Sequence, residues 1–351
     1  MSPLRRVACA LAALTPLVAS SATAASATAA TGTADPVRVV TVRDSRITES
    51  SGLVVSPEHQ RLVWTVNDSG SGPVVYGVST STGRTQAVLR LRGVDFRDTE
   101  AMAAGTDQDG RGLLWVGDIG DNNLVRESVV VRLVREPRRV ASTTLTPVSI
   151  RLRYPSGPVD AETLVWTPDG RLIVVTKELL SAQVLEVPPS AVRAALRGSD
   201  TDEPVPLRRL ATVGQALVTD GGALPDGRLV LRGYGDAVVY AAPARGEMAA
   251  LERLSLPSQP QGETLAVERD GTTVLVGSEG VDQPLWRVRV SGTPAASPTT
   301  MKESPNPTVT RVPRPPAAVV RRSAWWLAGG GLALVSAVAV TGARRRGRRR
   351  R

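Results

Sequence analysis

Through the middle of the chain, short apolar runs alternate with polar turns. In one unit, residues 162–166 form an apolar run, Pro168-Asp169-Gly170 a turn and residues 171–176 a second run. Outer strands follow over 183–187 and 205–210. Asp-Gly between apolar runs signals a hairpin, because glycine takes the positive φ that such turns need. The signal recurs at Asp109-Gly110, Pro225-Asp226-Gly227 and Asp270-Gly271. Each unit opens on an acidic phrase: Thr48-Glu49-Ser50-Ser51-Gly52-Leu53, Asp98-Thr99-Glu100-Ala101-Met102, Asp160-Ala161-Glu162-Thr163-Leu164 and Gln261-Gly262-Glu263-Thr264-Leu265, with a worn copy at Thr219-Asp220-Gly221-Gly222-Ala223-Leu224. Four-stranded units repeating at roughly fifty residues predict a radial β-architecture, the β-propeller.

Strand bookkeeping sharpens this expectation. Units one to four carry fourth strands over 87–91, 148–152, 205–210 and 251–256, whereas the fifth stops after a third strand at 285–290. One apolar run, 37–42, precedes the first unit. Pairing it with the fifth unit closes the ring and leaves no open sheet edge. The predicted fold is therefore all-β, a five-bladed β-propeller over residues 35–290 closed by an N-terminal strand. Six blades is the alternative, if one long unit hides a further hairpin.

The two ends of the chain read differently. Arg5 and Arg6 precede an apolar run over 7–18 and the small residues Ala22-Thr23-Ala24, the pattern of a secretory signal peptide, placed at 1–30. Residues 291–322 are rich in proline, from Pro294 to Pro316, and are expected to form an extended stalk. Residues 324–343 carry no charge and as a helix of about 1.5 Å rise per residue would match a bilayer core. Arginines fill most of the tail at 344–351, and Trp325 and Trp326 mark the opposite end of the span. Basic flanks stay inside, so the expected address is the plasma membrane: single-pass, with the propeller extracellular and the C-terminus cytoplasmic.

Charge changes meaning once the ends are set aside. The formal net charge is +10, from 43 basic and 33 acidic residues. Without Arg5, Arg6, Arg321, Arg322 and the seven arginines after position 343, 32 basic residues face 33 acidic ones. A near-neutral exported part gives no reason to expect nucleic acid as a partner. The expected partners are an extracellular protein or small ligand, and the membrane through the C-terminal helix. Cys9, the single cysteine, falls in the leader and His59 is the single histidine. Cys-His catalysis and Cys-ligated zinc are thereby excluded from the mature chain, and His59, in the polar turn Pro57-Glu58-His59-Gln60, is not expected to complete a Ser-His-Asp triad.

The remaining chemistry is carboxylate chemistry. Aligned on the residue after each hairpin turn (Arg61, Arg111, Arg171, Arg228, Thr272), a second acidic column stands seven places on, at Asp68, Asp118, Glu178 and Glu279, with Asp236 one place late. The first strand leaves from the acidic phrase and the second returns antiparallel, so both columns meet at one end of the ring. Glu49, Glu100, Glu162, Asp220 and Glu263 are expected to circle one channel mouth. So many carboxylates raise one another's pKa or take a cation among them. Lys177 and Arg232, at the ends of second strands, are the protein's candidates for balancing charge. Ca²⁺, with six to eight oxygen ligands, is the non-protein candidate. The loop Asp118-Ile119-Gly120-Asp121-Asn122-Asn123 adds Asp121 to the possible ligands. The competing reading is structural: acids at strand ends accept loop N–H groups and lock blades together. Trp64, Trp115, Trp166 and Trp286 fall within strands and are expected to pack between blades.

The repeated Glu phrases, the run Val116-Gly117-Asp118-Ile119-Gly120-Asp121-Asn122 and Thr176-Lys177-Glu178 resemble exported bacterial WD40-like β-propeller proteins over residues 35–290. More distantly, the acidic mouth resembles that of β-propeller phytases, and this likeness implies calcium and phosphate-ester hydrolysis; no catalytic position carries over residue by residue. Three functions remain open at this point. They are a membrane-tethered binding or scaffold module, a calcium-dependent phosphoesterase and a glycosidase working through two carboxylates.

Overall fold

A computed structural model describes residues 35–68 and 70–291 and the backbone of a short strand at Ala30–Thr31. The expected signal peptide up to residue 29, the stalk beyond residue 291, the apolar span and the basic tail lie outside the described residues, and Ala30, the last residue of that expected leader, begins the short strand. Among the described residues no helix is long and apolar enough to cross a membrane.

Five sheets stand around a central channel. Their innermost strands are Ser50–Val55, Ala101–Thr106, Ala161–Trp166, Asp220–Ala223 and Gly262–Val267. Each packs on the next, and the last packs on the first, so the ring is closed. The Asp-Gly hairpins form as expected, with Gly110, Gly170, Gly227 and Gly271 at positive φ. Val37–Thr41 pairs antiparallel with Pro284–Arg289 and completes the fifth blade, as the strand bookkeeping required. Five apolar cores result, one at each interface between neighbouring blades. Trp115 and Trp166 stack across the second and third blades, 5.7 Å between ring centres. Trp64 is buried, with its Nε1 donating to Glu136 at 2.6 Å.

One expected strand was misplaced. The run at 205–210 spans two strands: Thr201–Pro206 crosses to the second blade and pairs parallel with Val148–Arg153, and Arg208–Val213 is the true outer strand of the third blade. Ahead of them, after the third strand Ala182–Glu186, lies a helix, Pro189–Leu196, that strand periodicity did not reveal; a proline opens it and Ala191, Val192 and Ala195 bury one face. The crossing is general. Thr143–Leu145 pairs with the first blade's outer strand, Gly246–Glu247 with the third's and Ala30–Thr31 with the fourth's. At the fifth blade the Arg43 N–H donates to the Gly83 carbonyl at 2.7 Å. Four of the five outer edges are thus covered by a strand from the neighbouring unit, which removes the template for edge-to-edge aggregation there, and the fifth meets its neighbour at that backbone hydrogen bond.

Candidate metal centre

The strand register brings the start of each innermost strand against the end of the second. Ala101 faces Gly117, Ala161 faces Thr176, Asp220 faces Arg232 and Gly262 faces Ser278. The ladder slips by one residue at Ser51-Gly52, at Glu162 and at Glu263. Bulges re-aim side chains, and here two of the ring glutamates occupy them. The two acidic columns do meet at one end of the channel. At the other end lies a cavity of about 240 Å³ lined by residues such as Leu53, Met102, Leu164 and Leu265, apolar apart from Glu268 and Arg269 at its edge. Apart from Glu268 and Arg269, the charged side chains at the two ends of the channel therefore gather at the acidic mouth.

Within that mouth, Asp68, Asp98 and Glu100 each bring one carboxylate oxygen within 4.8 Å of the others. Asp68 follows the first blade's second strand; Asp98 and Glu100 precede the second blade's innermost strand. Glu100 is buried and receives the Ser51 hydroxyl at 2.9 Å. Burial, and the fields of Glu162, Asp68 and Asp98, hold its carboxyl well above the ordinary range. Burial with Asp68 and Asp160 pushes Asp98 up to about 6.

Glu162, 4 % exposed, has an ion pair to Lys177 through Oε1. Its Oε2 is buried without any hydrogen-bond partner. Burial keeps Glu162 raised despite Lys177. Against its own desolvation, Glu162 keeps the Lys177 ammonium above its usual range, with the Tyr234 ring 5.1 Å beneath it. Glu263 is raised by burial, and Glu279 rises to about 7 through burial and the charges of Glu263, Asp68 and Glu49. Glu49 is exposed at the rim.

Several expected ligands are committed elsewhere. Asp118 binds two buried guanidiniums, Arg126 at 2.9 Å and Arg132 at 3.1 Å. Asp121 accepts the N–H groups of Val125 and Arg126 at 3.0 and 2.8 Å and shapes its own loop. Both belong to the structural reading of the acids, and the 118–123 loop offers little to a metal. Asp220 is fully buried below the mouth, where its carboxylate accepts from Leu265, Gly221 and Leu53 at 2.7, 2.8 and 3.3 Å and ties three blades together. Glu178 accepts from Thr176 and Gln183 beside it. Arg232 balances less charge than expected. Its guanidinium serves the carbonyls of Gly233, Thr264, Gly277 and Tyr234 and the side chain of Gln259, and burial lowers it to about 10.

Asp98 and Asp160 were missed as site residues. Each stands two places before its glutamate in the same repeated phrase, so the doubled acid was the available signal. Asp160 holds the Asp121 N–H at 2.8 Å and adds its charge to the cluster.

No protein-family model and no curated protein matches the chain. Among solved structures, a gluconolactonase from Xanthomonas campestris aligns at 12 % identity and a TM-score of 0.38, over 74 % of this chain and 96 % of that one. A glutaminyl cyclase from Myxococcus xanthus aligns at 15 % and 0.41, over 73 % and 98 %. A calcium-binding protein, regucalcin, from Agrobacterium tumefaciens aligns at 12 % and 0.39, over 72 % and 95 %. At these scores the likeness bears neither on the site nor on its chemistry.

Proposed function

We propose that the chain is a membrane-tethered, cell-surface β-propeller that binds a divalent cation, calcium by its oxygen-only donor set, and acts as a binding module. One observation carries this reading: Asp68, Asp98 and Glu100 converge beside Glu162, whose buried Oε2 has no partner. A hard cation with six to eight oxygen ligands suits such a set. It would displace the proton that burial keeps on Glu100, and Glu162 would supply a further oxygen. Lys177 neutralises one side of the mouth, so the cation answers the remaining charge. The extracellular address is part of the proposal and is supported by the apolar run over 7–18 behind Arg5 and Arg6 and by the uncharged run over 324–343 before the basic tail.

A second reading rests on Glu162 alone. A buried carboxylate with one oxygen held by Lys177 is placed to take a proton from a water in the mouth, as a hydrolase of phosphate esters requires.

Thermal melts of the full-length chain in calcium and in chelator test the first reading. Ligand at 100 times Kd stabilises a protein by about 2.7 kcal/mol, so a clear upward shift in Tm is expected with calcium. Glu100→Gln and Asp98→Asn should fold and lose that shift; a calcium response unchanged in both would overturn the assignment. Calcium-dependent turnover of para-nitrophenyl phosphate, lost in Glu162→Gln, would select the second reading.

A further inference from the structure

Eight large apolar side chains are well exposed among the described residues, and six of them occupy equivalent loops. Leu124 and Val125 lie between the second and third strands of the second blade, Leu179 and Leu180 in the same loop of the third, Tyr234 in the fourth and Val281 in the fifth. Leu179 and Leu180 are 77 % and 88 % exposed. Every one of these loops leaves the end of a second strand, where the second acidic column stands, so the apolar residues crown the acidic mouth. Scattered exposed apolar residues need no explanation, but six that share equivalent loops at one end of the ring, above polar groups, mark a candidate interaction surface.

The charges beneath the crown indicate what the surface takes. In the half of the mouth built by blades three to five, Glu178, Glu263 and Glu279 have no ion pair among the described residues. Lys177 is committed to Glu162, and Arg232 to carbonyl groups. This half holds none of the Asp68, Asp98 and Glu100 cluster, although it shares Glu162 with the cation site and Asp68 adds its charge to Glu263 and Glu279 across the mouth. We propose that it docks a polypeptide segment of a partner protein, with a lysine or arginine entering between Glu263 and Glu279 and apolar neighbours resting on Leu179, Leu180, Tyr234 and Val281. Charge complementarity sets register while the apolar contacts supply most of the affinity. An anionic lipid surface would be repelled by the same carboxylates, and two copies of this face would repel each other.

Selection of a random heptapeptide library on the full-length chain in saturating calcium tests the inference. The expected consensus is a central Lys or Arg flanked by Leu, Val or an aromatic residue. Its binding should weaken at least tenfold when the central residue becomes Glu, and should weaken again as salt is raised. Leu179→Ser with Leu180→Ser, both exposed and away from any core, and separately Glu263→Gln with Glu279→Gln, should each lower affinity tenfold or more. The calcium-induced shift in Tm should survive the leucine pair, which separates failure here from failure of the cation site. An acidic or featureless consensus, affinity unaffected by the leucine pair, binding only to phosphatidylcholine vesicles, or self-association abolished by the leucine pair would each overturn the proposal.

Discussion

At the scale of the residue, a carboxyl group in the mouth does one of two things. Asp118, Asp121 and Asp220 are saturated by guanidinium or backbone N–H donors and hold the structure, although burial still raises Asp220 well above the ordinary carboxylate range. Asp98, Glu100, Glu162 and Glu279 are under-compensated, and burial raises each of them. A raised carboxyl means that the folded state binds more protons than the unfolded state above the ordinary carboxylate range near pH 4. Stability then falls as pH rises. Without a cation, the urea midpoint of the full-length chain should decline from pH 5 to pH 8, across the values of about 6 and 7 for Asp98 and Glu279. Calcium should flatten that decline; a midpoint that rises with pH in chelator would show these acids to be compensated. The sequence distinguished none of these fates, because an Asp in a repeated phrase looks the same whether Arg126 reaches it or not. Asp118 became structural only through two arginines eight and fourteen positions away.

At the scale of the element, most of the fold was legible. Asp-Gly turns between apolar runs located the hairpins, and the surplus strand at 37–42 located the closure. The third blade misled because its connection contains both a helix and a crossing strand, Thr201–Pro206, whose polar residues pair with the neighbouring unit and carry little periodic signal. The innermost strands show why small residues recur in the phrases. A Cβ on Gly52 would lie 2.2 Å from the Met102 nitrogen and 2.6 Å from the Ala101 carbonyl carbon, so the first two blades approach backbone to backbone. Overpacking of this kind costs about 1–3 kcal/mol and occasionally more. Gly52→Ala should fall at the upper end, read as a lower urea midpoint, and should weaken calcium binding because it parts Ser51 from Glu100. An unchanged midpoint would mean that the blades yield readily.

At the scale of the whole molecule, stability depends on closure, since each apolar core is shared by two blades and none belongs to one alone. A chain beginning after residue 42 loses the strand that pairs with Pro284–Arg289. Compared with a chain beginning at Asp35, it should melt over a broader range and associate through the exposed edge in sedimentation; a sharp, monomeric melt would contradict the closed-ring account. Closure also assembles the mouth, because its acids come from every blade but act only when gathered. The central claim is that this gathering makes a cation site, and calorimetric titration of calcium into the full-length chain at pH 7, in two buffers of different ionisation enthalpy, tests it most directly. One calcium per chain is expected, with proton release as Glu100 gives up its proton to the cation, and both the binding and the release should be lost in Glu100→Gln. Absence of binding heat in both buffers, or binding that persists unchanged in Glu100→Gln, would contradict it.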